Sequence, residues 1–237
     1  MIINYVQQYL SGGDIYDILI FASITLLSLL FSLTVHECAH GWMAHICGDD
    51  TAYMNGRVTL NPFAHLDPLG ALMMLFVGFG WAKPVPVNFR NLNRPKRDIA
   101  LVSLAGPVSN LIMGFVFTGV HTAIYHFATY SETMQVIYSA FYIAAVLNIG
   151  LAVFNLIPLP PLDGSKVLAC LLPPNTAAKY LMWERHFRLI MLVLILGQRL
   201  PYIGNIIDKL WLPVDMVRSS IINGMELLFD LFWKLFL

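Results

Sequence analysis

The 237-residue sequence predicts an α-helical polytopic membrane protein. It has a core of three transmembrane helices, a re-entrant β-containing element after the first of them, and additional C-terminal helices. Three observations predict this class. Only 12% of the residues are charged and 58% are hydrophobic, whereas soluble domains carry about 25% charged residues. Mean hydropathy is +0.69. Apolar runs long enough to cross a bilayer, about 20 residues as a helix, recur between polar turns. Fourteen basic residues balance fourteen acidic ones, which removes support for nucleic-acid binding and leaves the lipid bilayer as the expected surroundings. Cys38, Cys47 and Cys170 are odd in number and form no CxxC, which disfavours a disulfide framework. The opening MIINYVQQYLSGGD lacks a basic n-region and an A-x-A site, so the first hydrophobic segment is expected to be retained.

The first span is expected from Ile15 to about Ile46. Residues 57–93 read differently, because Pro62, Pro68, Pro84 and Pro86 interrupt them and their apolar middle, LGALMMLFVGFGW, is short for a crossing. GRVTLNP and KPVPVNF carry the β-branched alternation of short strands, so a re-entrant element is expected here, against protein or water that satisfies its backbone. Lys83, Arg90, Arg94, Lys96 and Arg97, opposed only by Asp98, mark the cytoplasmic side. Spans are then expected from Ile99 to about Phe127 and from Val136 to about Ile157, joined by an external turn at 130–133. A second basic group (Lys166, Lys179, Arg185, Arg188) returns to the cytoplasmic side, and a further short span is expected from Phe187 to about Leu200. The tail from Tyr202 mixes charge with bulk, the pattern of an interfacial helix.

The chemistry concentrates at the end of the first span, where His36-Glu37-Cys38-Ala39-His40 is H-E-x-x-H. On a helix, positions i and i+4 share a face, so both imidazoles reach one ion and the adjacent glutamate reaches a water beside it. Two snorkelling histidines and a paired glutamate are the bland alternative; ionisable groups within a span are costly enough to favour function. A catalytic zinc takes three protein ligands and keeps a fourth position open. Metzincins supply the third as a histidine six residues on, but Ile46 stands there, and His45 lies on another face. The candidate is Asp163 in NLIPLPPLDG, at the cytoplasmic end of a later span and therefore at the depth of His36 and His40. Pro158, Pro160 and Pro161 prevent regular helix before it and leave carbonyls that need protein or water.

HECAH, GPVSN (Gly106 to Asn110) and NLIPLPPLDG together resemble the three motifs of the site-2 protease family of intramembrane zinc metalloproteases. GD at Gly48 and Asp49, TLNP at 59–62 and FGWAKPVPVN at 79–88 are similar to its compact prokaryotic members. The likeness covers about residues 15–170, with a helical extension over about 175–237, in a single membrane-embedded domain. It implies that His36, His40 and Asp163 bind one Zn2+ per chain and that Glu37 is the catalytic base. Asn155 matches a position that holds the substrate backbone. The implied activity is cleavage of transmembrane segments of membrane proteins, in regulated intramembrane proteolysis, so the partner is a substrate's transmembrane helix. The implied location is the plasma or inner membrane. Only 44 residues separate Asn110 from Asn155, which leaves no room for the PDZ domain some bacterial members carry.

Asn110 is read as an interhelical hydrogen-bonding residue beside the close-packing Gly106, with substrate contact as the alternative. Cys38 is read as a small buried hydrophobe, and His65 and Asp67 as loop residues, not an accessory metal site. A metal-ion transporter and a non-catalytic scaffold derived from a protease are the rival functions. A transporter tends to show repeated halves with paired broken helices, which this chain lacks. A scaffold is free to lose Glu37 or a ligand, yet all four positions are intact.

Overall fold

The computed structural model describes residues 14–77, 80–183 and 201–236, with Gly12, His186, Phe187, Ile190, Val193 and Gly197. Most of the span expected from Phe187 to Leu200 lies outside the described residues, as do Arg185 and Arg188.

Among the described residues, three long apolar helices form the bundle: α1 (Ile15–Ile46), then, after three short helices named below, α5 (Pro95–Phe127) and α6 (Glu132–Asn155). Each is long and apolar enough to cross a membrane, with mean hydropathies of 2.5, 1.9 and 2.0. Their starts follow from local chemistry. Asp14 caps α1 by accepting from the Tyr16 N–H at 2.8 Å, Pro95 sits in the first turn of α5 where no amide donor is needed, and Ser131 caps α6 through the Met134 N–H. Helices in lipid gain from close packing more than from water exclusion. Accordingly α6 turns Ala144, Ala145 and Ala152 inward, and α1 turns inward Ser32, His36, His40 and Ala44, a stripe at intervals of four.

Residues 51–93 pack back against α1 as α2 (Thr51–Met54), α3 (Pro62–His65), α4 (Pro68–Val77) and an irregular run from Lys83 to Asn88. The β-containing element expected here reduces, among the described residues, to one antiparallel bridge between Leu66 and Ala82. Proline explains the difference. Pro84 and Pro86 have no amide donor on alternate residues of the run, and Pro62 and Pro68 start helices instead. Lys83 N–H closes the Leu66–Ala82 bridge, and the amides of Val85 and Asn88 find carboxylates instead. Lys83 N–H donates to the His65 carbonyl at 2.7 Å, Val85 N–H to Glu37 Oε2 at 2.9 Å, and Asn88 N–H to Asp49 Oδ2 at 2.7 Å.

Asp49 anchors this loop. It is fully buried just past the end of α1, after Gly48, whose φ of +103° suits glycine. Its other oxygen accepts from Asn91 Nδ2 at 2.9 Å and from the Thr51 hydroxyl and amide. Below it Ala44, Cys47, Leu92 and Val102 pack into a small apolar core joining α1, the loop and α5.

After α6, a proline-rich turn leads into α7 (Asp163–Leu171), which packs on α5, and α8 (Pro174–Met182). The C-terminal helix α9 (Pro201–Trp233) differs from the interfacial helix expected for the tail. It runs along α5 and α6 from one end of the bundle to the other. Trp211 meets Phe154 at the end of α6, Phe229 meets Phe115, and Trp233 Nε1 donates to Thr122 Oγ1 at 3.0 Å. Three of its charged residues are paired in place, Arg218 with Asp215 at 3.0 Å and Asp230 with His126 at 3.0 Å, which lowers their cost beside spanning helices.

Burial pushes the Asp49 carboxyl up, but hydrogen bonds from Thr51, Asn88 and Asn91 outweigh it and hold the group below the usual carboxylate range. A lowered folded pKa stabilises above the unfolded value of about 3.9 and is lost as pH falls through the folded one. An Asp49→Asn variant should therefore melt lower in detergent by a margin that is constant from about pH 5 to 8 and shrinks below about pH 4. Thermal scans across pH check this, and a margin that widens on acidification would contradict it.

Candidate metal centre

The end of α1 carries His36 and His40 to the inner face of the bundle, and the turn after α6 delivers Asp163 as the first residue of α7. There its carboxylate meets the positive end of a helix. Gly164 permits the approach, since a Cβ at that position would lie 2.2 Å from the Leu156 carbonyl oxygen. All three residues are buried, at 4%, 9% and 7% exposure in that order.

Their facing atoms converge. His36 Nε2 and His40 Nε2 stand 3.0 Å apart, and Asp163 Oδ2 lies 3.2 Å from the first and 3.1 Å from the second. The far side of each ring fixes what those atoms are. His40 Nδ1 lies 2.7 Å from the Val102 carbonyl oxygen, which can only accept. His36 Nδ1 lies 2.6 Å from Asn110 Oδ1. Each neutral ring thus carries its hydrogen on Nδ1 and turns the Nε2 lone pair inward. Two lone pairs and a carboxylate oxygen facing one another in a buried site repel unless a cation stands among them.

This donor set fits zinc. Two imidazole nitrogens and one carboxylate oxygen are a known ligand combination, and atoms about 2.0–2.2 Å from a tetrahedral ion stand roughly 3.3–3.6 Å apart, close to the spacing seen. Gly106 keeps the place clear, because a Cβ there would lie 2.5 Å from His40 Nε2 and 2.6 Å from His36 Nε2. Among the described residues, His36, His40 and Asp163 are the one group of three able to hold a metal ion.

The centre opens on a cavity of about 350 Å³, lined also by Glu37, Val85, Asn155 and Lys166. Glu37 lies one residue round the helix from His36, and its Oε2 is held by the Val85 N–H. Asn155, at the end of α6, donates to the Leu151 carbonyl at 3.0 Å and faces the same cavity. Lys166 Nζ donates to Asp163 Oδ1 at 3.2 Å, leaving Oδ2 to the histidines. Asn110 is elsewhere. It is fully buried behind His36, with both ends of its amide engaged, by His36 and by Asn148 Oδ1 at 3.0 Å. That is the interhelical arrangement and not the cavity wall. His45 pairs with Asp50 at 2.5 Å at the helix end, and His65 bonds the Thr59 carbonyl, both apart from the centre.

The sequence assigned no place at the site to Val102, Val85 or Asn148, and marked Lys166 only as one of a basic group. The first two act through backbone atoms, which side-chain identity cannot reveal. Asn148 had a readable signal, an amide in an apolar span where an unpaired polar group is costly.

The space beside the histidines generates a prediction. Gly106→Ala should fold but lose zinc, with affinity down at least the roughly 10–100-fold of lost supporting contacts. Metal analysis and chelator competition on monodisperse protein check it. Full zinc at unaltered affinity would place the metal elsewhere.

The profile of peptidase family M50 matches residues 121–196. YwhC of Bacillus subtilis, named as a zinc metalloprotease, is 40% identical over 209 residues, covering 86% of this chain and 91% of its own. Rip2 of Mycolicibacterium smegmatis, named likewise, is 29% identical over 70% of this chain and 64% of its own. MJ0611 of Methanocaldococcus jannaschii, also so named, is 26% identical over 65% of this chain and 72% of its own. No solved structure matches the chain. The chain belongs to peptidase family M50, the site-2 protease family of membrane zinc metalloproteases.

Proposed function

We propose that this metalloprotease cuts peptide bonds within or beside transmembrane segments of other membrane proteins, in regulated intramembrane proteolysis. The observation that carries the reading is the placement of Glu37 and the His36–His40–Asp163 set on one cavity at the end of a bundle of three spanning helices. The basic loop at 83–97 supports a cytoplasmic position for that end, in a plasma or inner membrane.

His36, His40 and Asp163 would hold the zinc. When bound, it supplies a Lewis acid that polarises the scissile carbonyl and makes water acidic enough to attack at neutral pH. Glu37 takes the proton of the attacking water on Oε1 and delivers it to the leaving amine, while the Val85 N–H keeps Oε2 in place. Asn155 stands on the cavity wall where it can hold the backbone of an unwound substrate segment. A substrate helix engages its own carbonyls in hydrogen bonds, so it must unwind locally before it can be cut.

Glu37→Gln keeps shape and the Val85 contact but cannot take the proton. Zinc content should stay near that of the parent, and cleavage of single-span peptides in liposomes should fall by about 10²–10⁴-fold. Cleavage at the parent rate with full zinc would remove Glu37 from the mechanism, and metal flux through the variant would favour a transporter.

Orientation is tested separately. A single cysteine at Asn91, on a background lacking Cys38, Cys47 and Cys170, should resist membrane-impermeant reagents in intact cells, and one at Tyr130 should react. Labelling at Asn91 from outside would invert the topology.

A further inference from the structure

The two histidines are held by acceptors of different kinds. A backbone carbonyl such as that of Val102 can only accept, but the amide of Asn110 can turn over. Turned, it would offer its NH2 to His36 Nδ1, drive the ring hydrogen onto Nε2 and remove the lone pair from the centre. Asn110 therefore has to be locked.

We propose that Asn148 is a positioning residue of the metal centre, locking Asn110 with its oxygen toward His36. The direction follows from groups with no choice of role. Asn148 Nδ2 lies 2.8 Å from the Ala144 carbonyl oxygen, an obligate acceptor. It also lies 2.8 Å from Ser32 Oγ, whose own hydrogen is directed at the Ser28 carbonyl at 2.6 Å. Both neighbours require a donor, so the NH2 of Asn148 faces them and its Oδ1 faces Asn110 Nδ2 at 3.0 Å. Asn110 must then present Oδ1 to His36 Nδ1, at 2.6 Å. Turning over either amide sets oxygen against oxygen or NH2 against NH2. Ser32, Asn110 and Asn148 are each 0% exposed, so water is not at hand to repair a reversed bond. The relay passes through all three spanning helices, from Ser32 on α1 through Asn148 on α6 and Asn110 on α5 back to His36 on α1. Its direction originates in backbone carbonyls.

The inference rests on His36 as a metal ligand, but its test does not pass through proteolysis. Nitrogen NMR of zinc-free protein with isotopically labelled histidine, at alkaline pH where the rings are neutral and with His36 assigned by difference against His36→Gln, reads the tautomer. The parent should carry hydrogen on Nδ1. Asn148→Leu, similar in bulk and without the amide, should mix the tautomers and weaken zinc binding by about 10–100-fold in chelator competition. Asn148→Asp, as the neutral acid, sets its O–H on the Ala144 carbonyl and keeps its other oxygen toward Asn110 Nδ2, so it should return the parent tautomer, which a packing role would not predict. Hydrogen mainly on Nε2 in the parent overturns the proposal, as does Asn148→Leu with unaltered tautomer and affinity. If the leucine variant does not fold, the parent and aspartate spectra still decide. A protein that shows the expected tautomers and cleaves nothing would fault the protease reading alone.

Discussion

His36 and His40 each commit Nδ1 to an acceptor on α5, and the rest of the structure is arranged around those two hydrogen bonds. They turn both Nε2 lone pairs toward Asp163 and make the cluster a site that favours a cation. A span of the bundle would otherwise gain from leucine at these places, since ionisable residues in the membrane interior cost about 2.5–3.5 kcal/mol each by insertion measurements. The retained cost is offset only when the facing atoms share a metal, which is why three buried polar side chains meet at 3.0–3.2 Å without a hydrogen to share among all of them.

The same logic explains the loop between α1 and α5. A proline-rich run cannot satisfy itself as a strand, so its few amides are available to carboxylates of the neighbouring helix end. Asn88 takes Asp49 and Val85 takes Glu37. One wall of the cavity is thereby fixed to Glu37, which lines it. The prolines at 84 and 86 leave Val85 as the one donor between them, so the contact has no competing register.

The cluster of His36, His40 and Asp163 was legible in sequence because each of its two parts is marked locally. HECAH places two imidazoles on one face by helical spacing alone, and the prolines before Asp163 announce a break at the matching depth. The three long spans were legible for the same reason, since length and hydropathy decide them. The strands expected in residues 57–93 were misread from β-branched alternation, where the prolines governed. The course of α9 was hidden too. Its mixture of charge and bulk fits an interface equally well, and only tertiary pairing with His126 and packing on Phe115 and Phe154 sets it along the bundle. Asn148, Val102 and Val85 act across distances in sequence that no local spacing encodes.

The spacing within α5 follows from the histidines it serves. Val102, Gly106 and Asn110 are separated by four residues each and so lie on one stripe of the helix, facing the His36–His40 stripe of α1. Side chains on a helix lean toward its N-terminus, so the amide of Asn110 lies over the turn before its own Cα and meets His36. The gap at Gly106 lies opposite both Nε2 atoms. At Val102 the backbone itself serves His40, and Pro107 next to this stripe has no N–H to donate to the Ser103 carbonyl. Carbonyl, gap and amide at four-residue intervals are thus one complement to a histidine pair spaced by four. A bulkier residue at the middle position, or a shift of the amide by one residue, would break the match even though every motif residue on α1 remained.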